Sequence, residues 1–136
     1  MPVQNESPVM SIAAADSRTA LEHFEKLLGV ETDCWDVHFD LENGKPEFVL
    51  LDVRSPESFA AGHIEGARNL PHRQIDLEGL ASWPGETLFV VYCAGPHCNG
   101  ADRAAVRLAR LGRKVKKMIG GVQGWKEEGY PLTARP

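Results

Sequence analysis

Nothing in the 136 residues approaches the ~20 consecutive apolar residues that cross a bilayer. The opening MPVQNESPVM has neither the basic n-region nor the apolar h-region of an export signal. Membrane insertion and export are therefore not expected, and a cytoplasmic location is. Cysteine is scarce, at three, and an odd number in a chain without an export signal argues against a disulfide scaffold and for reduced thiols. Basic charge is not in excess either: 15 Lys and Arg against 19 Asp and Glu leave a net charge of −4. That removes any global electrostatic reason to bind nucleic acid or an anionic membrane, so an anion site must be local. What is present, 43% hydrophobic and 25% charged residues with 13 Gly and 9 Pro, is the composition of one ordinary globular domain. A chain this long buries roughly two-thirds of its unfolded surface and needs no metal to stand.

Residues 1–16 lack apolar periodicity and read as a mobile arm, leaving 17–136 as a single domain. From Ser17, a cap candidate, Leu21, Phe24 and Leu28 share one helical face that ends at Gly29, which predicts a packing helix. Between Glu31 and Leu41, Trp35, Val37, Phe39 and Leu41 alternate with Cys34, Asp36, His38 and Asp40. Period two predicts a strand with Cys34 on its polar side, and Asn43-Gly44 predicts a hairpin turn into the buried strand Phe48–Leu51. Ser55-Pro56-Glu57 opens a helix ending near Gly62, and a short strand is expected around Ala67–Leu70. A weak helix or turn is expected from Ile75 to Trp83, then a central strand at Leu88–Tyr92. Ala101, Ala104, Ala105, Leu108 and Leu111 repeat at helical spacing, with Arg103, Arg107 and Arg110 as a stripe on another face. A last strand at Val115–Ile119 and a closing helix at Trp125–Glu128 follow. Alternation of strands and helices predicts an α/β fold with a mainly parallel sheet, whose sites lie beyond the carboxyl ends of the strands.

Cys93 stands at such an end and opens the segment Cys93-Ala94-Gly95-Pro96-His97-Cys98-Asn99-Gly100 before a helix. So short a connection must curl. The N–H groups of Ala94, Gly95, His97, Cys98, Asn99 and Gly100 then form an anion cradle with the positive end of the helix, favouring a Cys93 thiolate of lowered pKa. Pro96 removes one N–H from the set. Cys98 reads in two ways: a small residue at the loop exit, with Asn99 capping the helix and Asp102 completing a capping box, or a thiol that resolves a persulfide or sulfenic acid on Cys93. A zinc site from Cys93, Cys98, His97 and His72 is disfavoured, because the cysteine spacing is not that of paired knuckles.

Leu51-Asp52-Val53-Arg54, Gly62-His63-Ile64-Glu65-Gly66-Ala67, Val91-Tyr92-Cys93 with its loop, Gly120-Gly121 and Gly124-Trp125 together resemble the rhodanese-like family over about residues 48–132. The resemblance implies a rhodanese-like fold, here with an added N-terminal helix and hairpin strand. It also implies sulfurtransfer without a cofactor or metal. A sulfane sulfur would pass from thiosulfate or a related small anion, through a persulfide on Cys93, to cyanide or to a small or protein thiol. It leaves Asp52, Arg54 and His63 as structural supports.

Many relatives that use thiosulfate carry Arg or Lys inside the loop; this loop has none, its only ionisable helper being His97. Arg103 and Arg107 read as a solvated stripe. A phosphatase-like reading also places a cysteine in a curled loop, but Asn99 stands where that chemistry needs an oxyanion-clamping Arg. A thiol redox protein using Cys93 and Cys98, or a binding module without catalysis, are the other readings.

Overall fold

The computed structural model describes residues 7–44 and 46–136. Ten elements follow one another: α1 (Ser17–Val30), β1 (Glu31–Thr32), α2 (Cys34–Glu42), β2 (Phe48–Asp52), α3 (Pro56–Ala61), β3 (Arg68–Asn69), β4 (Leu88–Tyr92), α4 (Gly100–Arg110), β5 (Lys114–Met118) and α5 (Gly121–Glu127). The strands form one sheet in the order β1-β5-β4-β2-β3, and every ladder is parallel. The expected α/β fold with a parallel sheet flanked by helices is what is observed.

The two central strands are the apolar runs, and their period of two sends alternate residues into two cores. Phe89, Val91 and Cys93 join Leu51, Val53, Ile75 and Leu80 beneath α4, which contributes Ala101, Ala104 and Leu108. Val90 and Tyr92 face the other way, with Leu50, Ile64, Met118, Val122 and Trp125. Cys93 thus continues the α4 side of the sheet.

The N-terminal quarter departs from expectation. Only Glu31 and Thr32 pair, in parallel with β5, and Cys34–Glu42 is a helix rather than a hairpin strand. Asp33 caps it by accepting from Asp36 N–H at 2.8 Å. The inward residues are Cys34, Val37, His38 and Leu41, spaced i, i+3, i+4, i+7, while Trp35 and Phe39 stack on the outside with centroids 5.4 Å apart. Helical period therefore decides what alternation misread. Asn43 is the C-cap of α2, its side-chain amide donating to Phe39 C=O at 2.9 Å, so Asn43-Gly44 ends a helix and turns no hairpin. Cys34, expected on a polar face, is buried, its Sγ lying 3.5 Å from Ile119 C=O. Burial, then Asp33 and Glu128, push its thiol up to about 11.

α1 forms as expected but one residue longer, and its cap is Asp16, which accepts from Thr19 N–H at 2.8 Å, not Ser17. It buries no residue: Leu21, Phe24 and Leu28 stay 58–70% exposed, so it is not a packing helix. Of the expected arm, residues 1–6 lie outside the described residues and 7–15 hold turns without helix or strand. The segment from Ile75 to Trp83, expected as a weak helix or turn, is a run of turns preceded by a 3₁₀ turn at His72–Gln74 and anchored by buried Ile75 and Leu80. Among the described residues no helix is long and apolar enough to cross a membrane.

Candidate active site

Asp52 and Cys93 leave adjacent strands at the same end of the sheet, Asp52 opposite Tyr92 in register. Asp52 is fully buried. It accepts from Arg54 N–H at 3.0 Å, from Nε at 3.0 Å and from Nη2 at 2.6 Å, and Arg54 Nη2 also donates to Gly62 C=O. The carboxylate and guanidinium are thus consumed by each other and by backbone, the structural role expected of them. His63 is likewise buried, with Nδ1 2.7 Å from Phe59 C=O, its ring stacked on Phe59, and its backbone bridged to Thr133 in both directions at 2.8 Å.

Two glycine approaches fix the loop. Val122 N–H and Gln123 N–H, in the first turn of α5, donate to the carbonyls of Cys93 and Ala94 at 3.0 and 2.9 Å. This contact requires glycine at 121, whose φ is +59° and where a Cβ would stand 2.5 Å from Cys93 C=O. At the other end, a Cβ on Gly100 would stand 2.7 Å from the Cys93 sulfur, so only glycine lets α4 begin directly over it. Between them Cys98 N–H closes on Gly95 C=O at 3.1 Å.

The loop therefore curls as expected, but its N–H groups divide their tasks. Those of Ala94 and Gly100 address the two sulfurs, Gly100 N–H reaching Cys98 Sγ at 3.4 Å, while that of Cys98 is spent inside the turn. Asn99 precedes α4 without a side-chain cap bond; its Oδ1 accepts from Arg103 Nε at 3.1 Å, and Asp102 is drawn to Lys117 at 2.9 Å. The expected capping box is absent.

The decisive contact is between the cysteines. Cys93 Sγ and Cys98 Sγ lie 2.7 Å apart, and either can donate to the other. Cys93 is buried and Cys98 exposed. Burial first, then the bond to Cys98, push the Cys93 thiol up to about 11, whereas that same bond draws the Cys98 thiol below its usual value, aided by the N–H groups of Gly100 and Ala94. The expected lowering at Cys93 falls instead on its neighbour: the pair's first negative charge sits on the better-hydrated sulfur.

Cys93 and Cys98 open into a cavity of about 810 Å³ whose walls include Arg54, His72, Arg73, Arg103 and Arg107. Among the described residues, Arg73, Arg103 and Arg107 form no ion pair. Partial burial and then these three guanidinium groups hold His72 below its usual pKa. Arg103 and Arg107 are thus exposed but not merely a solvated stripe. They bring positive charge to a site whose loop carries none. Sequence reasoning missed Arg73 and the wall role of His72, since the turn holding them reaches the cavity only through the β2-β3 pairing. The signal available was the i, i+4 spacing of Arg103 and Arg107 in the first two turns after the loop.

A family model for the rhodanese-like domain matches residues 37–128. The chain belongs to the rhodanese-like family. It is 41% identical over 87 residues to the HTH-type transcriptional regulator Rv0324 of Mycobacterium tuberculosis, covering 63% of this chain but only 38% of that protein. With the thiosulfate sulfurtransferase GlpE of Pseudomonas putida it shares 38% identity over 85 residues, 61% of this chain and 73% of the relative. Among solved structures, the BH2092 protein of Bacillus halodurans is 34% identical with a TM-score of 0.84, covering 87% of this chain and 86% of the other. The rhodanese-like domain of the Alr3790 protein from Anabaena is 29% identical with a TM-score of 0.69, over 77% and 79% of the two chains. The family match begins within α2, so that helix belongs partly to the rhodanese-like unit rather than to an appended hairpin.

Proposed function

We propose that this rhodanese-like protein moves a sulfane sulfur from thiosulfate or a related donor to cyanide or a thiol, through a persulfide on Cys93. The observation that carries the reading is the Cys93 sulfur at the end of the central strand, beneath the start of α4 and on the floor of an arginine-walled cavity. The resemblance to a protein named as a thiosulfate sulfurtransferase supports it.

Cys93 passes its proton to the Cys98 sulfur 2.7 Å away as it attacks the outer sulfur of the donor; the bond to the sulfite sulfur breaks, sulfite leaves with the electron pair, and a persulfide anion remains. Ala94 N–H and the start of α4 face the charge so formed, as an oxyanion hole faces oxygen, while Gly100 N–H is held by Cys98. An acceptor then takes the terminal sulfur and restores Cys93. Nothing in either step calls for a metal or an organic cofactor.

Arg73, Arg103 and Arg107 draw the doubly charged donor inward. Steady-state kinetics with thiosulfate and cyanide should be double-displacement, giving parallel double-reciprocal lines. In the Arg103→Ala/Arg107→Ala protein the KM for thiosulfate should rise roughly three- to tenfold, with a smaller effect at high salt and little change with a neutral thiol acceptor. Intersecting lines would exclude a persulfide intermediate, and an unchanged KM would assign donor attraction to other groups.

A further inference from the structure

We infer that Cys98 is a built-in acceptor: when no external acceptor is present, it displaces the terminal sulfur of the Cys93 persulfide as hydrosulfide, leaving a Cys93–Cys98 disulfide. The inference rests on the persulfide reading above and extends it to a second activity, the reductive release of sulfane sulfur.

The geometry is that of a pair already in contact. The two sulfurs are 2.7 Å apart, five residues from one another, with Cys98 held by the bond from its N–H to Gly95 C=O. Glycine at 100 leaves the space both sulfurs occupy, since a Cβ there would meet Cys93 Sγ at 2.7 Å and Cys98 Sγ at 3.4 Å. No side chain therefore has to be recruited, and the attacking sulfur meets the inner sulfur of the persulfide before any molecule entering through the cavity does. Exposure of Cys98 leaves the resulting disulfide open to reduction. Cys34 has no such role: it is buried against the backbone of Ile119 and Gly121.

The electrons balance within the pair. It enters with one proton between its two sulfurs, and persulfide formation on Cys93 leaves that proton on Cys98. The Cys98 sulfur then forms a bond to Cys93 Sγ and the bond from Sγ to the terminal sulfur breaks. The terminal sulfur leaves with the electron pair and the Cys98 proton, as hydrosulfide. Two cysteine sulfurs are oxidised to a disulfide and one sulfane sulfur is reduced. Each thiosulfate gives one sulfite and one hydrosulfide, and two equivalents of an external thiol reduce the enzyme for another round.

The test is a single turnover. Fully reduced protein is mixed without oxygen and without acceptor with a small excess of thiosulfate, and sulfite, hydrosulfide and protein mass are measured. Wild type should release about one hydrosulfide with each sulfite, lose two hydrogens, and yield a peptide linking Cys93 to Cys98. Cys98→Ser keeps the loop backbone and should release sulfite, retain one extra sulfur on Cys93, and give at least ~10-fold less hydrosulfide. Wild type that keeps the extra sulfur on either cysteine, with no link and no hydrosulfide, would overturn this inference while leaving the sulfurtransfer reading intact. Sulfite from neither protein would overturn the sulfurtransfer reading, and this one with it.

Discussion

Replacing Cys93 by Ser is expected to lower sulfur transfer from thiosulfate to cyanide by about 10³-fold or more, the scale on which covalent catalysis fails without its nucleophile. Serine fits the same space at the end of β4. Its hydroxyl ionises far beyond the reach of the Ala94 N–H group, and oxygen forms no persulfide. The buried position beneath α4 should tolerate the change, so far-UV circular dichroism and the thermal midpoint should stay close to those of the wild type. Activity within tenfold of wild type would move the nucleophile elsewhere, and Cys98 would be the first residue to examine.

The largest effect on stability is expected at Asp52. Its carboxylate has no solvent contact and takes hydrogen bonds from three N–H groups of Arg54, whose side chain is 12% exposed. Asp52→Ala leaves that guanidinium bonded only to Gly62 C=O among the partners it now has, and removing one member of a buried pair costs about 3–5 kcal/mol. Against a total stability of roughly 5–15 kcal/mol this is severe, and a midpoint lowered by roughly 10–20 °C should follow. Asp52→Asn keeps one acceptor and should fall between the two. Equal midpoints in urea or heat for Asp52→Ala and wild type would show that the pair contributes nothing net. The distinction matters for mechanism, because Arg54 also lines the cavity. A stable Asp52→Ala protein that lost activity would make Arg54 a group that acts on substrate rather than a strut.

The central strands were legible because Phe48–Leu51 and Leu88–Tyr92 are apolar on both faces, which only a buried parallel sheet explains. The loop was legible too, since a cysteine ending such a strand a few residues before a helix has little conformational choice. α2 was not. Trp35 and Phe39 are large and apolar yet exposed, and counting them with Val37 and Leu41 as inward-facing creates a false period of two that hides the inward Cys34 and His38. Asp33, capping Asp36 N–H, was the local sign of a helix. α1 shows the converse, a helix whose apolar face was read correctly as a face and wrongly as buried. The thiol pKa order was missed for another reason. Loop N–H groups and a helix start can be inferred from sequence, but the burial of Cys93 and its 2.7 Å contact with Cys98 come only from how tightly Gly100 and Gly121 let the chain close. The cationic wall depends on topology, since Arg73 and Arg107 meet through no local pattern.

The most direct measurement of the central claim is peptide mass after brief incubation with thiosulfate, carried out on Cys98→Ser protein so that the intermediate persists. One extra sulfur atom is expected on the peptide containing Cys93, removed by cyanide with one equivalent of thiocyanate. An unmodified Cys93 peptide, or extra sulfur found on Cys34 instead, would contradict it.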